Sequence, residues 1–170
     1  MMVSRTGRSE EVAVDAVAWE SAYRQHAEHL TRLATVLVGP DAAHDLVADT
    51  VLRCVASTTW WEVDNPGGYL TRALVNTANA TRRSDAARWG RERVVAGWRT
   101  PQPGVDELGG TQVAALRSIS PTQAAIVFLL YWEDLTIPDV ARRLAISEGS
   151  VRKQLDRAKA RLRKVISDDD

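Results

Sequence analysis

Apolar residues recur along this chain every three or four positions, and no stretch alternates apolar and polar with the period of two that a half-buried strand requires. The pattern predicts an all-α fold. Trp19, Tyr23, Ala27, Leu30, Ala34 and Leu37 fall on one face of a helix that Gly39-Pro40 stops. A second helix is predicted from about Asp41 to Ser57, with Ala43, Leu46, Val47, Val51, Cys54 and Val55 facing inward. Asn65-Pro66 reads as an N-cap followed by proline at the first helical position, where its missing N–H costs nothing. The helix it opens carries Tyr69, Leu70, Ala73, Leu74 and Ala78 inward and turns basic at Arg82 and Arg83.

Arg99 to Thr111 holds two prolines and three glycines without apolar periodicity, which predicts a flexible linker over 99–111. Two small helical domains are expected on either side, at 15–98 and 112–166. The second contains four helix starts with capping chemistry, at Thr111, at Ser120 before Pro121, at Thr136 and at Ser147. Residues 1–14 and the acidic end at 167–170 are expected to be tails without structure.

Thr136 to Arg163 is the most informative segment. Thr136 caps a short helix carrying Val140, Ala141 and Leu144, and a turn through Ala145 and Ile146 reaches Ser147, which caps the next. In that longer helix Val151, Leu155, Ala158 and Leu162 form an inner stripe, opposite Arg152, Lys153, Asp156, Arg157 and Lys159. A short helix, a tight turn and a longer helix with a basic outer face make a helix-turn-helix, whose second helix enters the major groove. Gly149 and Ser150 at the helix start allow close approach to a DNA backbone. Arg152 and Lys153 are placed for base edges, and Arg157, one turn on, for phosphate or base. The plainer reading, a solvated charged face, is the weaker one because stripe, caps and charge agree. Ala145 stands where the turn favours a left-handed backbone, a cost of roughly 1 kcal/mol or less relative to glycine, so the turn is expected to survive.

Charge changes the picture once it is located. The 22 Lys and Arg cancel the 22 Asp and Glu. Yet Glu10 to Asp64 holds ten acids against three bases, Arg82 to Arg93 five arginines against two acids, and Glu148 to Lys164 seven bases against two acids. The neutral total hides one acidic region and two basic ones. A single cysteine excludes a disulfide framework and a Cys-rich zinc site, and His26 and His29 lack further residues at ligand spacing. No phosphate-binding glycine loop, nucleophile elbow or paired-carboxylate arrangement is present, so no metal, cofactor or enzymatic activity is expected. With no apolar run of membrane length and no apolar h-region in Met1 to Asp15, a cytoplasmic protein without membrane insertion is expected.

The order of the segments carries more. DLVADTVL (Asp45 to Leu52), Trp60-Trp61, NPGGYLTRALVNTANATRR (Asn65 to Arg83), a linker, and Ser120 to Arg163 follow one another. Over about residues 17 to 165 the chain resembles the extracytoplasmic-function (ECF) group of bacterial RNA polymerase sigma factors, most closely their actinobacterial branch. The resemblance implies a region 2 bundle that binds one large polymerase subunit and opens and reads the minus-10 element. It also implies a region 4 helix-turn-helix that reads the minus-35 element and docks on the other large subunit. RNA polymerase core, promoter DNA and an anti-sigma factor are the implied partners. Asp45 and Asp49 match the acidic positions of the polymerase-binding signature, and Ala48 stands between them where the family usually has Gln. Asn76 matches the asparagine of the strand-opening helix, and Trp60 falls near an aromatic that lines the pocket for a flipped-out base. Arg72, Arg82 and Arg83 would hold phosphates of the separated strand, and Ser150, Arg152, Lys153 and Arg157 would meet the minus-35 element. Two other readings stay open: a self-sufficient helix-turn-helix regulator, and an interaction module that sequesters a partner.

Overall fold

The computed structural model describes residues 6–57, 63–89 and 110–167, which form seven α-helices with no strand among them. The helices are α1 (Thr6–Val38), α2 (Pro40–Val55), α3 (Pro66–Trp89), α4 (Gly110–Arg117), α5 (Pro121–Tyr131), α6 (Ile137–Leu144) and α7 (Glu148–Ser167). The all-α expectation holds. The expected unstructured tail at 1–14 does not, because α1 is already helical at Thr6. No proline interrupts the chain from Thr6 to Val38, and adding one residue to an existing helix gains a hydrogen bond for each backbone fixed. Of the expected linker, 99–109 lies outside the described residues, while Gly110 and Thr111 are the first residues of α4.

Helices α1, α2 and α3 pack around Leu30, Leu33, Leu46, Val47, Leu70 and Leu74. Gly39 reverses the chain between α1 and α2 at φ +89°, with its N–H on the Thr35 carbonyl at 2.8 Å, and Pro40 then opens α2. Buried Thr35, Thr50 and Thr71 are tolerated because their hydroxyls return to the preceding turn, donating to the Thr31, Leu46 and Gly67 carbonyls. Val55, expected inward, is instead 53% exposed. At 100° per residue it lies about 120° round from the stripe of Ala43, Leu46, Val47 and Cys54, beyond the face that α1 and α3 cover.

Helix α5 is apolar all round, with Ala124 to Leu129 buried without interruption. A helix of that composition must be covered on every side. It is: α1 and α3 of the N-terminal half and α4, α6 and α7 of the C-terminal half all pack against it. One continuous core therefore runs from Leu30 in α1 to Ala158 in α7. Polar contacts cross the same boundary. Glu133, just past α5, accepts from Arg32 at 3.2 Å and lies 3.3 Å from Nδ1 of His29. Asn79 donates to Thr122 at 3.0 Å, and Arg82 donates to the Ile119 carbonyl.

Candidate nucleic-acid interface

Local chemistry shapes α6 and α7 into the expected helix-turn-helix. Thr136 and Asp139 cap α6 reciprocally, and the Asp139 carboxyl is held below its usual value by hydrogen bonds from the Thr136 hydroxyl and backbone, with the neighbouring arginines adding to the effect. The helix ends in a Schellman arrangement: Ile146 N–H bonds the Ala141 carbonyl at 3.0 Å and Ala145 N–H the Arg142 carbonyl at 3.3 Å. Ala145 takes φ 53° and ψ 47°, the left-handed conformation expected at that position. Ser147 then caps α7, accepting from the Ser150 N–H at 3.1 Å.

Val151, Leu155 and Ala158 are buried beneath α7, while Arg152, Lys153, Asp156, Arg157 and Lys159 are exposed. Arg152 reaches Glu148 one turn back at 2.9 Å. Such an exposed pair contributes only about 0.3–0.5 kcal/mol, so the guanidinium is readily released to a nucleic-acid acceptor. The Ser150 hydroxyl shares a 2.9 Å hydrogen bond with that of Ser147, and a Cβ at Gly149 would meet only the Ser147 hydroxyl, at 3.9 Å.

On the N-terminal helices the expected residues divide. Asp45 and Ala48 are exposed on α2, and the Asp49 carboxylate, also partly exposed, pairs with Arg53 at 3.0 Å. Leu52, 69% exposed, and Val55 extend this surface into an acidic face with an apolar end. Sequence reasoning left Leu52 unassigned, although its spacing of seven from Asp45 and three from Asp49 put it on the same side of the helix. Asn76 is exposed on α3 and lines a groove of about 270 Å³ with Arg53, Cys54, Tyr69, Ala73 and Thr77. Tyr69 supplies the aromatic wall of this groove; its place in the apolar stripe had marked it only as core. Trp60 lies outside the described residues. Arg83 is exposed, Arg82 is turned onto the α4–α5 junction, and Arg72 sits over the Tyr69 ring at 5.9 Å. The arginines and Asn76 therefore do not converge on one spot in this arrangement.

Among the described residues no group of three or more metal-ligating side chains comes together, and no helix is long and apolar enough to cross a membrane. Cys54 is a free, buried thiol whose pKa is pushed up by burial.

Comparison with known proteins places these features. A family model for sigma-70 region 4 matches residues 113–162, from within α4 to within α7. The chain is 28% identical over 159 residues to the ECF RNA polymerase sigma factor SigE of Mycolicibacterium smegmatis, an alignment covering 88% of this chain and 62% of that protein. It is 26% identical over 165 residues to the RNA polymerase sigma-E factor of Streptomyces coelicolor, covering 89% and 88%. It is also 26% identical over 162 residues to the ECF sigma factor SigM of Mycobacterium tuberculosis, covering 91% and 80%. The fold matches that of the sigma factor RpoE from Bartonella quintana, solved in complex with the anti-sigma factor NepR. That match has a TM-score of 0.67 at 20% identity and covers 88% of this chain and 97% of the other. The C-terminal helix-turn-helix is thus a sigma-70 region 4 domain. Over about nine-tenths of its length the chain is similar to sigma factors of the ECF group.

Proposed function

We propose that this protein acts in the cytoplasm as a promoter-specificity subunit, directing bacterial RNA polymerase core to particular promoters in response to a stress or signal. The observation that carries the reading is the solvent-open basic face of α7, mounted on a buried stripe in a region 4 domain. Ser150, Arg152, Lys153 and Arg157 read the minus-35 element. Residues 15–98 form region 2, whose α2 face of Asp45, Ala48, Asp49 and Leu52 docks on polymerase, acid against a basic partner and apolar against apolar. Asn76, with Tyr69 as its neighbouring ring, takes the edge of an unstacked minus-10 base, the amide supplying both a donor and an acceptor. Arg72, Arg82 and Arg83 hold the separated strand, and residues 112–166 act as region 4.

An anti-sigma factor is the expected regulator, since the fold matches a sigma factor solved bound to one. A polymerase-independent regulator is not favoured, because the named relatives are all sigma factors. Run-off transcription on a randomised promoter library, with and without added core enzyme, tests the proposal. Promoter-specific transcripts that need both proteins are expected. Tight operator binding by the purified chain, with no stimulation of core enzyme, would overturn it.

A further inference from the structure

Between the start of α3 and the end of α6 lies a cleft of about 380 Å³, the liquid volume of about a dozen waters. Asn65, Gly68, Tyr69 and Arg72 line it from the N-terminal helices, and Arg142 and Arg143 from the helix-turn-helix. Among the described residues no carboxylate lines it. Arg142 has an exposed partner in Asp139. Arg72 and Arg143 have no ion pair among the described residues, and Arg143 is half-buried. The first turn of α3, a 24-residue helix, adds the positive end of its dipole on the same side.

Guanidinium groups gathered in a partly desolvated cleft repel one another, and a chain that needed them only for packing would supply a counter-charge. Arginine is also the side chain whose planar fork fits phosphoryl oxygens two at a time. We propose that this cleft is a binding site for a small, multiply charged phosphate compound, no larger than a nucleotide. Its arginines come from both halves of the molecule, so the bound anion favours the packed arrangement over any in which the halves separate. The site shares Tyr69 and Arg72 with the proposed minus-10 surface but includes none of the exposed α7 residues, and Arg142 and Arg143 are its own.

Inorganic pyrophosphate, titrated calorimetrically into the full chain without magnesium, is the first probe. Saturable one-to-one binding is expected, with a rise in the thermal unfolding midpoint. Arg143→Gln should weaken binding about tenfold, the effect of losing one charge-assisted contact. Arg143→Lys, which keeps the charge and packing but loses the fork, should fall between, and circular dichroism confirms that each variant is folded. Arg161→Gln, exposed on α7, should change affinity less than about twofold, as expected for a charge outside the site. Absence of saturable heat, wild-type affinity in folded Arg143→Gln, or equal weakening by Arg161→Gln would overturn the proposal. Binding of a short single-stranded oligonucleotide that falls as much as pyrophosphate binding in Arg143→Gln would also overturn it, by making the whole cleft part of a nucleic-acid path.

Discussion

Ala145 occupies a backbone conformation that its methyl group resists. The cost was legible in the sequence because the turn is local: the last residue of a short helix and the cap of the next are only three positions apart. Ala145→Gly is expected to stabilise the protein by up to about 1 kcal/mol, less whatever the glycine adds to unfolded-chain freedom. Urea denaturation checks this, and a loss of stability would show that the methyl makes a needed contact. His29 is the contrary case. Its partner Glu133 lies across the fold and no local spacing announces the pair. Burial holds the imidazole below its ordinary value of 6.5, against the pull of Glu133 and with Arg143 and Arg32 adding to the depression. The unfolded chain therefore takes up the proton first. The contribution to stability is complete above about pH 6.5 and declines as pH falls below it. His29→Gln should flatten the pH dependence of the urea midpoint between about pH 7 and 5. An unchanged slope would assign the acid sensitivity elsewhere.

Among the elements, the two helices proposed to meet partners differ in how they would do so. Helix α7 presents charge over a buried stripe, a division visible in the sequence at a period of 3.6. Arg152→Ala or Lys153→Ala is expected to cost about 1–3 kcal/mol on cognate minus-35 DNA and to relax sequence preference at the base it reads. Holoenzyme binding to a panel of single-base promoter variants is the measurement; equal losses on all of them would mean that only phosphate is touched. Helix α2 presents carboxylates and then apolar surface, and here the sequence was half read: the acids declared themselves, while Leu52 was given no role. With 69% of its surface in water, Leu52→Ser should leave the unfolding midpoint within about 0.5 kcal/mol of wild type. Core-polymerase affinity should nonetheless fall several-fold, readable by competition against a labelled sigma factor. Full affinity would remove Leu52 from the interface.

At the scale of the whole molecule, the packing of the two halves was hidden from sequence reasoning because it rests on pairs far apart in the chain. Arg82 and Ile119 are 37 residues apart, Arg32 and Glu133 101. One sign was present: the uninterrupted apolar run of α5 has too many buried faces for the C-terminal helices alone to cover. The packed form has a consequence for promoter binding. Elements centred at minus 10 and minus 35 are roughly 25 base pairs apart, about 85 Å along the duplex. A compact chain of this length has a radius of gyration of only about 16 Å. On the proposed reading, contact with both elements at once therefore requires the halves to part, releasing Arg82 from the Ile119 carbonyl as they do. Asn79→Ala combined with Arg82→Ala removes two of the polar links and is expected to enlarge the radius of gyration in small-angle scattering. An unchanged radius would show that the shared apolar core alone holds the halves together.

The same molecule is equipped to report that parting. Its one native thiol, Cys54, is 3% exposed and disinclined to ionise. Maleimide dyes attached to cysteines introduced at exposed positions, one on α2 and one on α7, would thus label cleanly in the wild-type background. Energy transfer between the two fluorophores would then follow separation in real time as polymerase arrives.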